Sequence, residues 1–396
     1  MATQPAAVSV PPASGAWREG DPVGRRQFRD VGALRLERGG MLPAVRVAYE
    51  TWGAPSVGDD GEIGNAVLVM HALTGDSHVC GRVEPGHPTP GWWDGLIGPG
   101  KLIDPTRHWI ICPNVLGGCQ GTTGPSSLRA DGQRYGSAFP RITVRDQVAV
   151  EIALAAELGI DSWAALVGGS MGAMRILEWL VGYPGTASSA LVLSVGAAAT
   201  GYQIGTQSAQ LLAITGDPRW QGGDYYAAAV GDGPHVGLGL ARRIAHLTYR
   251  SETELDTRFG RAPQPGEDPL RDGRFAVQSY LEHHADKLSA RFDAGSYVAL
   301  TDAMNTYDVG RDRGGVDSAL RMISAPLVVA GIDTDRLYPL RLQAEIAAKA
   351  PTCATLDVIE SLYGHDGFLI EIDAVSALVR RALAISDLQR SSHAGR

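Results

Sequence analysis

Short, continuous apolar runs recur along this chain, and most are followed by a glycine-rich turn and then by apolar residues at helical spacing. Ala66-Val67-Leu68-Val69-Met70, Trp109-Ile110-Ile111-Cys112, residues 163–167, residues 190–195 and residues 325–331 are the runs, and the sheet pattern appears once more at residues 355–359. Apolar residues on every position, rather than on alternate ones, fit strands covered on both faces, as in a parallel sheet. Between them the spacing predicts helices. Val144, Val148, Ile152 and Ala155 repeat after a Thr143–Asp146 capping pair, residues 171–180 carry Met174, Leu177 and Leu180, and residues 340–350 and 374–385 follow the late strands.

Two regions break this rhythm. Residues 34–37 and 45–49 alternate apolar and polar positions around Arg38-Gly39-Gly40, which predicts an antiparallel hairpin at a sheet edge. From residue 196 to 317 the chain offers helical stretches at 239–248, 274–291 and 296–304 but no strong strand. A helical insertion of that length over a sheet would be a lid. The expected architecture is therefore a doubly wound, mostly parallel α/β domain made of residues 29–195 and 318–388, interrupted by a helical lid at 196–317. Residues 1–28, rich in Pro, Ala and Gly with Pro11-Pro12 opposing a helix, and residues 389–396 are expected to be flexible.

Composition narrows the chemistry by exclusion. A formal charge of −8, from 43 acidic and 35 basic residues mixed along the chain, argues against nucleic acid or an anionic membrane as the main partner. The N-terminus lacks the basic flank and apolar stretch of a secretory signal, so a cytoplasmic protein is expected. Cys80, Cys112, Cys119 and Cys353 form no C-x-x-C pair and accompany no His cluster at zinc spacing, so they are read as buried thiols and no metal is expected.

The most informative stretch is Gly168-Gly169-Ser170-Met171-Gly172, which fits the G-x-S-x-G elbow that exposes a serine hydroxyl between a strand and a helix. In a chain this rich in glycine the pattern arises by chance roughly one time in three, so context must decide. The context is present, because an apolar run precedes the motif and a helical pattern follows it. A serine nucleophile needs a base and a carboxylate to orient that base. In α/β-hydrolase chains the order is serine, acid, histidine, with the last two on loops after late strands. Asp335, with Asp333 as a rival two residues earlier, and His365 in Gly364-His365-Asp366-Gly367 occupy those positions. The oxyanion donors would be the backbone N–H groups of Met171 and Leu73. His71, just after an early strand, is better placed to shape that oxyanion loop than to transfer protons.

Six stretches in order carry a resemblance. They are His71-Ala72-Leu73-Thr74-Gly75, the glycine-rich run from Asn114 through Pro125, the Ser170 elbow, Ala241-Arg242-Arg243-Ile244-Ala245-His246-Leu247-Thr248-Tyr249, Asp335-Arg336-Leu337-Tyr338-Pro339 and Gly364-His365-Asp366-Gly367. From about residue 30 to residue 385 the chain resembles the homoserine O-acetyltransferase family of the α/β-hydrolase superfamily. It departs from the family pattern at Ala173, where a third glycine is common, and at Arg243, where an apolar residue is more usual.

The resemblance implies a ping-pong transfer from acetyl-CoA, a co-substrate rather than a resident cofactor, to the hydroxyl of L-homoserine on the way to methionine. It also implies that Arg242 grips the homoserine carboxylate, Tyr249 assists it, Asp366 holds the amino group, and the protein dimerises through lid helices. Rival readings are a succinyl donor, a serine acceptor, or an esterase in which water replaces homoserine.

Overall fold

The computed structural model describes residues 11–394. One eight-stranded, mostly parallel sheet organises it. Strands β1 (Gln27–Arg35) and β2 (Met41–Trp52) form the expected antiparallel hairpin, and β2 also pairs antiparallel with β4 (Trp109–Pro113). The remaining pairs are parallel: β3 (Ala66–Met70) with β4 and with β5 (Ala165–Gly169), then β6 (Ala190–Leu193), β7 (Leu327–Ile332) and β8 (Cys353–Ile359). The central strands β3, β5, β6 and β7 are buried at every position, which is why they read as unbroken apolar runs. By contrast β1 buries no residue fully, so only its last residues gave an apolar signal and its start at Gln27 was not legible.

Helices cover both faces. α1 (Val144–Glu157), capped by Thr143 and Asp146 as the capping pair predicts, packs beside α2 (Met171–Gly182). Between β6 and β7 the chain forms α3 (Gly201–Thr215), α4 (His235–Tyr249), α5 (Glu252–Phe259), α6 (Ala276–Ser289), α7 (Ala294–Asn305) and α8 (Val316–Arg321). α3 was not expected; three of its four buried residues are the polar Gln203, Gln207 and Gln210, with Ile214 the fourth, which leaves little apolar stripe to read. After β7 come α9 (Leu340–Lys349), then, past β8, the single turn α10 (Gly367–Ile370) and α11 (Ile372–Ala394).

Two expectations about the termini change. The helix α11 continues to Ala394, through most of the stretch read as a loose tail. Residues 11–26 are not loose either. Ala13, Ser14 and Ala16 are buried, Ser14 Oγ donates to Asp293 at 2.7 Å, Gly15 N–H to the Phe292 carbonyl at 3.2 Å, and Trp17 N–H to the Cys119 carbonyl at 2.9 Å. Small residues without apolar period look unstructured in sequence, yet small size is what lets this strap thread between lid and core. Residues 1–10 of the expected arm lie outside the described residues.

Candidate active site

The strand β5 enters a turn in which Ser170 has φ 56° and ψ −127°, a backbone conformation that L-residues adopt only under local constraint. Close packing supplies that constraint. A Cβ on Gly172 would stand 2.1 Å from the Met70 carbonyl oxygen, so the glycine lets the first turn of α2 sit directly on the end of β3. Ser170 is thereby held where β5 stops, and its side chain meets the loop after β8.

There the three candidate residues converge. His365 Nε2 lies 2.8 Å from Ser170 Oγ, and His365 Nδ1 lies 2.7 Å from Asp335 Oδ2. An ionised carboxylate only accepts, so Nδ1 carries the proton and Nε2 is left to accept from the serine hydroxyl. Asp335 is buried, and its other oxygen accepts the N–H groups of Leu337 and Tyr338 at 2.9 and 2.8 Å. Asp333 is exposed and spends Oδ1 on the N–H groups of Thr334 and Ser361, holding the two late loops together without reaching the imidazole. The His365 ring is enclosed by Tyr338, Phe368 and Tyr249, with centroids 5.1, 5.4 and 5.8 Å away. A hydroxyl so placed is chemically equipped to be a nucleophile.

The candidate oxyanion donors flank the same corner. Met171 opens α2, so its amide is one that the helix leaves without an internal partner. Leu73 follows β3, in a loop fixed by His71. The His71 ring is buried, donates from Nδ1 to the Ala72 carbonyl at 2.8 Å and accepts the Val115 N–H on Nε2 at 3.1 Å. Burial, with help from the nearby Arg175 guanidinium, pushes its pKa down to about 3, so the ring is neutral and suits the structural part expected of it.

Above Ser170 the lid presents α4. Its Arg243 pairs with Glu282 at 3.3 Å, as a residue on a solvated face does. Arg242 behaves differently: its Nε is buried without a hydrogen-bond partner, and its guanidinium lies 5.4 Å from the centre of the Tyr249 ring. Burial raises the pKa of Tyr249, and the neighbouring Tyr297 hydroxyl donates to Gln210 Oε1 at 2.8 Å. Asp366 lies 3.5 Å from Arg250 Nη1; burial raises its pKa while the charges of Arg242, His365 and Arg250 oppose that rise. A cation with an unpartnered Nε and a carboxylate next to His365 thus lie close enough to feel each other's charge, an arrangement suited to a zwitterion.

A family profile described as alpha/beta hydrolase fold matches residues 65–371. The homoserine O-acetyltransferase of Thermobifida fusca (strain YX) is 59% identical over 374 residues, which is 94% of this chain and 97% of that protein. The chain belongs to the homoserine O-acetyltransferase family, within the α/β-hydrolase fold. Among solved structures, homoserine O-acetyltransferase from Bacillus anthracis superposes with a TM-score of 0.80 at 25% identity, covering 90% of this chain and 97% of that one. Esterase E22 superposes equally well, with a TM-score of 0.80 at 25% identity over 90% of this chain and 99% of the esterase.

Several residues of the family site and its surroundings escaped the sequence reading. Tyr297 and Gln210 sit in helices where nothing in the sequence pattern marks a polar contact. Glu50, His78 and His87, far apart in sequence, gather their ligand atoms within 4.8 Å of one another, which makes them the one group of potential metal ligands among the described residues. Their geometry is that of an ion pair. The two imidazoles stack face to face, 3.9 Å apart and 11° from parallel, so one ion cannot lie in both ring planes. His78 Nδ1 donates to Glu50 at 3.1 Å, and although burial opposes its charge the bond to Glu50 raises its pKa; His87 is pushed down to about 3 by burial and by Arg26. Cys80, Cys112 and Cys119 are buried free thiols as expected, whereas Cys353 is half-buried.

Proposed function

We propose that this protein transfers an acetyl group from acetyl-CoA to the hydroxyl of L-homoserine by a ping-pong route through acyl-Ser170, a step in methionine biosynthesis. The observation that carries the reading is the Ser170–His365–Asp335 hydrogen-bonded set beside Arg242, a cation whose buried Nε has no hydrogen-bond partner and whose charge acts on Asp366. In the first half-reaction His365 removes the serine proton as Oγ attacks the thioester carbonyl. The tetrahedral oxyanion is received by the Leu73 and Met171 N–H groups, and His365 returns the proton to the departing thiolate of coenzyme A. In the second, homoserine binds with its carboxylate on Arg242, assisted by Tyr249, and its ammonium on Asp366. His365 now takes the homoserine hydroxyl proton as that oxygen attacks the acyl carbonyl, and the same proton restores the Ser170 hydroxyl. No resident cofactor or metal enters either step.

The setting proposed is the cytoplasm, as a homodimer. Among the described residues no helix is long and apolar enough to cross a membrane. The lid helices α3 and α4 expose Tyr202, Ile204, Leu212, Val236, Leu240 and Leu247, an apolar face suited to a second copy.

The esterase reading keeps its place because esterase E22 shares this fold as closely as the acetyltransferase from Bacillus anthracis does. Water would then replace homoserine, and a zwitterion clamp would have no purpose. Release of coenzyme A from acetyl-CoA and from succinyl-CoA, each with homoserine, serine or water as acceptor, separates the readings. Acetyl-CoA with homoserine should exceed every other pair; equal turnover with water would overturn the proposal.

A further inference from the structure

Arg291, in the link between α6 and α7, reaches out of the lid and donates from Nη1 to the carbonyl oxygen of Thr74 at 2.9 Å. That carbonyl belongs to the peptide unit whose N–H, on Gly75, donates to the Ala72 carbonyl at 2.9 Å. The Ala72 carbonyl in turn belongs to the peptide unit whose N–H is that of Leu73. Two rigid planes therefore connect a lid cation to an oxyanion donor: guanidinium to Thr74 C=O, Gly75 N–H to Ala72 C=O, Leu73 N–H to the site. Because each peptide is planar, holding its oxygen fixes the direction of its N–H. Hydrogen bonds in series also polarise one another, so a cation at the far end makes the last N–H a stronger donor.

We infer that Arg291 is a positioning residue that orients and polarises the Leu73 N–H through these two peptide planes, so that the oxyanion site is complete only when the lid is seated. This rests on the acyl-serine reading above.

The surroundings of Arg291 fit that task. Its own carbonyl accepts from Gln120 Nε2 at 3.0 Å, and Gln120 Oε1 accepts from Arg26 at 2.8 Å, which ties the link to the glycine-rich loop and the N-terminal strap. Two residues on, the buried Asp293 accepts from Ser14, Tyr225, Tyr226 and the Ser296 N–H at 2.7, 2.6, 3.0 and 2.7 Å. Gly15 packs so tightly on the link that a Cβ there would stand 2.5 Å from the Phe292 nitrogen. The segment 290–293 is thus gripped by strap, loop and lid at once. From the core side the same Ala72 carbonyl is held by His71 Nδ1, and the His71 carbonyl accepts from Arg175 at 2.6 Å. Arg291 is the hold on this loop that comes from the lid.

The test uses a fluorophosphonate that phosphorylates Ser170, with fluoride as leaving group and a phosphoryl oxygen in the oxyanion position, so its rate does not depend on the natural substrates. Arg291→Met should slow labelling by about tenfold or more, and Arg291→Lys, which keeps a cationic donor, should recover much of the loss. In the acetyl transfer itself both half-reactions should slow by a similar factor while the homoserine KM stays within about twofold, since both pass through an oxyanion. Arg291→Gln, a shorter neutral donor, carries the same test should the methionine variant misfold. Labelling at the wild-type rate in folded Met or Gln variants would overturn the inference, as would a raised homoserine KM with unchanged acylation, which would make Arg291 a substrate contact. A wild-type protein that is labelled yet transfers no acetyl group would remove the function proposed above and leave this inference standing.

Discussion

Gly172 sits so close to Met70 that no side chain fits between them: a Cβ would lie 2.1 Å from the Met70 carbonyl oxygen and 2.9 Å from its carbon. Both partners are backbone, in a strand and a helix that are buried throughout this contact, so neither can step aside cheaply. Gly172→Ala should cost about 1–3 kcal/mol of stability through overpacking. It should also lower activity by about a hundredfold, because shifting the start of α2 moves Ser170 and the Met171 N–H together. Urea midpoints and steady-state turnover measure the two effects. A variant as stable and active as the wild type would show that the elbow does not depend on this contact.

Asp335 is singled out from Asp333 by what each oxygen touches. Asp335 faces the imidazole, and Asp333 ties Thr334 and Ser361. Asp335→Asn replaces an acceptor with an amide that can favour the wrong imidazole tautomer, and turnover should fall by about 10³- to 10⁴-fold. Asp333→Asn should leave the tautomer alone and cost far less. Reversed sensitivities would assign the acid to the other residue.

How much of this was legible in the sequence follows from which physical signal each residue leaves. Buried parallel strands announce themselves as apolar runs, and Ser170 and Asp335 could be placed because each follows one; His365 follows the largely unburied edge strand β8 and was placed by chain order and its glycine-flanked loop. Arg242 and Asp366 were reachable through resemblance alone, since a lone Arg on a helix is indistinguishable from a solvated one until its neighbours are known. Arg291, Tyr297 and the Glu50–His78–His87 group were not legible, because their meaning lies in contacts between distant segments. The strap at 11–26 misled for a related reason: Ala13, Ser14 and Gly15 pack by being small, and smallness carries no periodicity.

Arg242 has donors to spare, whereas Arg250 spends its own on Glu254 at 3.2 and 2.8 Å. A substrate carboxylate received by Arg242 is a charge-assisted contact, and losing such a contact weakens binding by roughly 10- to 100-fold. Arg242→Ala should therefore raise the homoserine KM by about that factor while leaving the acylation burst with acetyl-CoA close to wild type. Pre-steady-state release of coenzyme A, measured before acceptor is added, isolates the first half-reaction. Equal losses in both halves would mean that Arg242 supports the site as a whole and not the acceptor.

The neutral state of His71 couples the oxyanion loop to pH. Its pKa is lowered to about 3 in the folded protein, against an ordinary value near 6.5 when unfolded. Between those values the unfolded chain binds the extra proton, so stability is lost as pH falls through that window, by up to about 1.4 kcal/mol per pH unit for one such ring. His87 and His246, lowered to about 3 and about 2 by burial and neighbouring guanidinium groups, act in the same direction. His78 acts in the opposite one: its raised pKa contributes stability that is present at low pH and is lost as pH rises through the folded value. His284, lowered to about 4, and His235, lowered by burial, act in the same direction as His71, so the lowered rings outweigh the raised one and the urea midpoint should drop steeply from pH 6.5 to pH 4. His71→Asn, which cannot titrate, should be less stable at pH 7 because the Val115 N–H loses its acceptor, yet show a shallower slope by up to one proton. Identical slopes in the two proteins would mean that His71 is not held neutral by the fold.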